Sequence, residues 1–156
     1  MKRFGEMLST TKDFFESGLE KLSKLFVSDD VAKASMVLAA WITTADGSVD
    51  EREVAETEAF IQNAEYLQKL DKEKLANEYR KWCDQFLKDP DDAVVYALTE
   101  ITPLIQRPEA VNAVQLAYKI AGADQNVTEN ELKVVTKACH FLGVSCTAGT
   151  ECVLAE

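Results

Sequence analysis

Residues 38–53 read LAAWITTADGSVDERE, and the stretch decides how the chain folds: an apolar run at helical spacing, a DG turn, then a second helix opening on acids. Shifted by 78 residues it lies over LAYKIAGADQNVTENE, residues 116–131, with eight of sixteen positions identical, Asp46 with Asp124 and Glu53 with Glu131 among them. A match of that length points to one helix–acidic turn–helix unit used twice. Outward from the two stretches, apolar residues return at steps of three and four and no alternating run appears, so the fold class is all-α. The expectation is a compact bundle of about seven helices containing the two repeated units.

The helices follow from their apolar faces and stop signals. Residues 3–26 carry Phe4, Met7, Leu8, Phe14, Phe15, Leu19, Leu22, Leu25 and Phe26 opposite a face of mixed charge, which favours a helix packed on the bundle over a membrane-surface helix. A second helix is expected over 30–44, capped by Asp29 or Asp30, and a third from Glu51 through Val54 and Ile61. Leu75, Tyr79, Trp82 and Phe86 place two large aromatics on the core face of a fourth helix after Asp71. The Asp89–Asp92 cluster caps a fifth that Pro103 kinks or ends, Pro108 opens a sixth, and Glu129 to Leu142 forms a seventh with Gly143 as its stop. The domain division is 1–29 for the amphipathic helix, 30–145 for the bundle and 146–156 for a tail.

Register within each unit comes from capping. With Asp50 and Thr128 as N-caps, Glu53 and Glu131 fall at the third helical position and complete capping boxes. Val49 and Val127 then face Val54 and Leu132 as hydrophobic staples. Local structure explains those acids without a ligand. It leaves Asp46 and Asp124, each seven residues before the capping-box glutamate. If each turn folds back over its helix start, Asp46 and Glu53, and Asp124 and Glu131, converge on the hard oxygen environment that Ca²⁺ or Mg²⁺ prefers. The spacing is not that of an EF-hand, because the twelfth residue from Asp46 is Thr57. Merely capped turns and a cation site both remain consistent with these residues.

Composition bounds the function classes. Seventeen Lys and Arg against 27 Asp and Glu give a net charge of −10, which disfavours nucleic acid and anionic lipid and favours cations or basic partners. With no apolar run long enough for a bilayer and no signal-peptide centre, the expected location is cytoplasmic. Cys83, Cys139, Cys146 and Cys152 include no CxxC pair and read as reduced thiols. An enzyme is disfavoured: a helical di-metal carboxylate site needs paired Glu-x-x-His motifs, and the only histidine, His140, has Lys137 three residues before it.

The acidic turns ADGSVDERE and ADQNVTENE, the RPEAV opening of the helix before the second turn and the HFLGV ending after it resemble the TerB family of tellurite-resistance proteins over about residues 30–145. That family shares its all-helical fold with the amino-terminal domain of a membrane-anchored J-domain co-chaperone. The resemblance implies a non-enzymatic role in bacterial resistance to tellurite and related stresses. It also implies action with other Ter-type proteins and a membrane protein near the inner membrane. The alternative reading of the residues is an interaction module with merely capped turns and no metal, whose amphipathic residues 1–26 dock on a partner or peripherally on a membrane. It makes Asp46, Glu53, Asp124 and Glu131 the candidate ligands of a divalent cation. The sequence departs from the repeated pattern at Gln125, where the first turn has Gly47.

Overall fold

A computed structural model describes residues 28–64, 67, 69–121 and 128–145, and the backbone of 153–154. Six α-helices lie among them: α1 (Asp29–Thr43), α2 (Glu51–Gln62), α3 (Lys72–Lys88), α4 (Pro90–Ile101), α5 (Pro108–Ala121) and α6 (Glu129–Leu142). The fold is all-α, as expected. The helix expected over residues 3–26 falls outside the described residues. A two-residue antiparallel ladder joins β1 (Val144–Ser145) to β2 (Val153–Leu154), so part of the tail returns to the end of α6.

Helix α1 is the central element because its sequence is apolar nearly all round, and eleven of its residues, Val31 through Ile42 apart from Lys33, are buried. It packs on α3, α4, α5 and α6. Against α5 the approach is close, since Ala32, Ala39, Ala113 and Ala117 are all fully buried and offer no bulk to hold the helices apart. The Ser35 hydroxyl donates to its own helix at Val31 O (2.7 Å) and across the crossing to Ala113 O (3.2 Å), which satisfies a polar group that would be costly to bury unpaired. The face of α3 predicted from spacing is the buried one: Leu75, Tyr79, Trp82 and Phe86 all enter the core. There Phe86 stacks on Trp41, with ring centroids 6.3 Å apart.

The caps decide where each helix begins. Helix α1 is capped by Ser28, not by Asp29 or Asp30: its hydroxyl accepts from Val31 N at 3.3 Å. Serine caps as well as aspartate, and a cap at Ser28 leaves both aspartates in the first turn, on the positive end of the helix dipole. Asp71 caps α3, and Asp89, the first of the expected acidic cluster, caps α4. Pro103, which has no N–H to continue the α ladder, sits in a short 3₁₀ turn at Thr102–Leu104. Helix α6 stops at Gly143, whose φ of +73° is left-handed. The Gln106 side chain crowds that glycine so closely that an added Cβ would meet its Nε2 at 2.2 Å. The same connection is tied down by Gln106 N donating to Leu142 O (3.0 Å).

Candidate cation site at the acidic turns

Both caps predicted for the acidic helices are in place, but they close differently. At α6, Thr128 Oγ1 accepts from Glu131 N (3.1 Å) and Glu131 Oε1 accepts from Thr128 N (3.1 Å), a complete capping box. At α2, Asp50 Oδ1 accepts instead from Arg52 N, two residues on, at 2.9 Å. No return bond from Glu53 closes a second box, which corrects the expectation for that residue. The short aspartate side chain has taken the nearer amide, and the Glu53 carboxylate is left to the space beside the turn. Between α1 and α2 the chain reverses at Gly47, whose φ of +83° only glycine adopts without strain and whose N–H donates to Thr44 O (3.0 Å).

Asp46, which nothing in its own turn requires, is used by a distant helix. Its Oδ1 accepts from Asn130 Nδ2 at 2.8 Å and its Oδ2 lies 3.4 Å from Thr128 Oγ1, bonds that span 84 and 82 residues of chain. The first acidic turn is thereby docked on the opening of α6, where a carboxylate also meets the positive end of the helix dipole.

The docking encloses a cleft of about 480 Å³. Asp46, Glu53, Glu56 and Glu131 line it with carboxylates, Thr43, Ser48, Thr57 and Thr128 with hydroxyls, and Phe60 and Ala121 with apolar surface. Three of the four residues singled out from sequence, Asp46, Glu53 and Glu131, therefore share one cleft; Asp124 lies in 122–127, outside the described residues. Sequence reasoning missed Glu56, which lies one turn beyond Glu53 and also pairs with Arg52 (3.2 Å), and it missed Asn130. Among the described residues that line it, every polar group is an oxygen donor and no side chain is basic. The carboxylates share the cleft without clustering, for among the described residues no group of three or more His, Cys, Asp or Glu is arranged to hold a metal ion.

Behind the cleft, α3 fixes the frame. Arg80 bonds Glu51, the first residue of α2, through Nη1 (2.7 Å) and Glu58 through Nε (2.8 Å) and Nη2, and the two carboxylates raise the guanidinium pKa further. The buried Tyr79 hydroxyl donates to Thr43 Oγ1 (3.0 Å), and burial pushes the phenol pKa up. Cys83, one turn along, is a buried thiol whose pKa burial pushes up to about 12. Cys139 is buried and His140 exposed, so that adjacent pair is divided between core and surface.

None of the described helices is long and apolar enough to cross a membrane. Comparison with curated proteins and with solved structures found no match. Comparison with protein-family models matches residues 32–150, well over half of the chain, to TerB, described as tellurite resistance protein TerB. With the all-helical fold and the acidic turns that led to the resemblance, the match has a plain conclusion: the chain belongs to the TerB family.

Proposed function

We propose that the protein is a non-enzymatic stress-resistance protein of TerB type that binds a divalent cation in the cleft between its first acidic turn and the start of α6. The observation that carries the reading is the lining itself: carboxylates and hydroxyls from residues 43–57 and 128–131, with no basic side chain among the described lining residues. Such a donor set suits a hard cation, Ca²⁺ or Mg²⁺, over a soft one. Asp46, Glu53 and Glu131 would hold the ion, with Asp124 as the remaining candidate. A bound ion would offset the mutual repulsion of these carboxylates and strengthen the docking of the turn on α6. Because the carboxylates of both units serve one cleft, the expected stoichiometry is one site per chain.

Glu53→Gln is the discriminating substitution, since Glu53 makes no capping bond and the change removes charge without removing bulk. Millimolar Ca²⁺ should raise the melting temperature of the native protein, and Glu53→Gln should lose most of that rise while melting normally in chelator. An equal rise in both proteins would contradict the reading.

The engagement of both Asp46 oxygens by α6 favours a second reading, in which the turns are only capped and docked and the protein is an interaction module. By resemblance its partners would be other Ter-type proteins and a membrane protein near the inner membrane, and the amphipathic pattern of residues 1–26 makes that segment the docking element. In that case cations change nothing, and deletion of residues 1–26 abolishes partner or vesicle binding.

A further inference from the structure

The core beneath the acidic cleft contains a phenol where an apolar ring would fill the same space. Tyr79 is fully buried, and its hydroxyl donates to Thr43 Oγ1 at 3.0 Å. Thr43 is the last residue of α1, three before Asp46, and Thr57 is on α2, one turn beyond Glu53. Both threonines line the cleft. One hydroxyl on α3 thus holds the end of α1 beside the first acidic turn, while Arg80 on the same helix holds α2 through Glu51 and Glu58. We infer that Tyr79 is a positioning residue for the cleft, pinning the end of α1 to α3 and so, with α2 held on the same helix by Arg80, setting the separation of Asp46 from Glu53.

The physical case rests on what else sets the end of α1 against α2. The turn between α1 and α2 passes through Gly47 at positive φ, so its backbone constrains the interhelical angle weakly. Arg80 grips α2 through Glu51 and Glu58, a contact that is partly solvent-exposed. The Tyr79 side chain is fully buried while its acceptor Thr43 is half-buried at the cleft wall; an unpaired phenol in the core is costly, so the bond constrains the end of α1. Outer groups that orient ligand-bearing segments commonly govern metal affinity without touching the ion.

The inference rests on the proposed cation site for one of its two readouts only. The experiment compares the full native chain with Tyr79→Phe, Thr43→Val and the double variant, well below their melting temperatures, by Mn²⁺ titration and by amide hydrogen exchange in chelator. Each single substitution should weaken Mn²⁺ binding about tenfold, and the double should be no weaker than either, because one bond is being removed twice. Exchange at Gly47 and Arg52 should accelerate in each variant while Leu38, in the middle of α1, stays protected. Native-like Mn²⁺ affinity in Tyr79→Phe, or effects that multiply in the double variant, would overturn the role. Should the native protein bind no Mn²⁺, the cation reading fails by itself, and exchange then decides: unchanged rates at Gly47 and Arg52 would overturn the positioning role as well.

Discussion

Asp46→Ala removes the carboxylate that docks the first acidic turn on α6, and the structure sets the size of the loss. The 2.8 Å bond from Asn130 has an ionised acceptor but is solvent-exposed, so it contributes about 1 kcal/mol. The 3.4 Å contact with Thr128 is at the far limit of a hydroxyl bond and adds little. A negative charge at the opening of α6 contributes about 0.5 kcal/mol more through the helix dipole. The sum, about 1.5 kcal/mol, corresponds to a fall in melting temperature of about 3–6 °C for a domain of this size. Asp46→Asn keeps an oxygen for Asn130 and should lose about half as much. The assay is urea unfolding in chelator of the native chain, Asp46→Ala, Asn130→Ala and the double variant, which isolates the bond from any cation. A coupling of about 0.5–1 kcal/mol is expected. Strict additivity would refute the docking role of Asp46.

Two further outcomes follow from the frame around the cleft. Arg80→Ala should destabilise the protein by about 1–2 kcal/mol, because one guanidinium serves two carboxylates of α2, and the loss should shrink in high salt; a salt-independent loss would mean packing and not charge holds α2 there. Cys83, with its thiol pKa raised from 9.0 to about 12, should resist thiol reagents in the folded protein at pH 8. Since the folded state holds that proton more tightly than the unfolded chain, its contribution to stability is intact below pH 9 and declines as pH rises from there through about 12. The phenol of Tyr79, also raised by burial, acts in the same direction. Alkaline unfolding monitored by circular dichroism checks the sign; a protein that gains stability between pH 9 and 11 would contradict it.

Much of this architecture is legible in the sequence because its causes are local. The α3 face shows in the spacing of Leu75, Tyr79, Trp82 and Phe86, and the starts of α2 and α6 in the caps Asp50 and Thr128. The errors are also physical. Ser28, Asp29 and Asp30 are near-equal caps in a row, and only the tertiary fit selects Ser28. The Glu53 capping box fails because Asp50 reaches the nearer amide of Arg52, a choice between two adjacent donors that composition does not settle. The partner of Asp46 was not legible, for the bond to Asn130 joins residues 84 apart and no local spacing records it. That bond changes the standing of Asp46, which tertiary structure requires even though its own turn does not. It also places Asp46, Glu53 and Glu131 around one space, a result the repeat alone left open.

The most direct test of the cation site is calorimetric titration of Ca²⁺, Mg²⁺, Mn²⁺ and Zn²⁺ into the native protein and into an Asp46→Asn, Asp124→Asn double variant. The account predicts saturable heat with a hard cation at one site per native chain, abolished in the double variant while its fold is retained. No heat from the native protein with any of the four ions, or the same heat from both proteins, would contradict it.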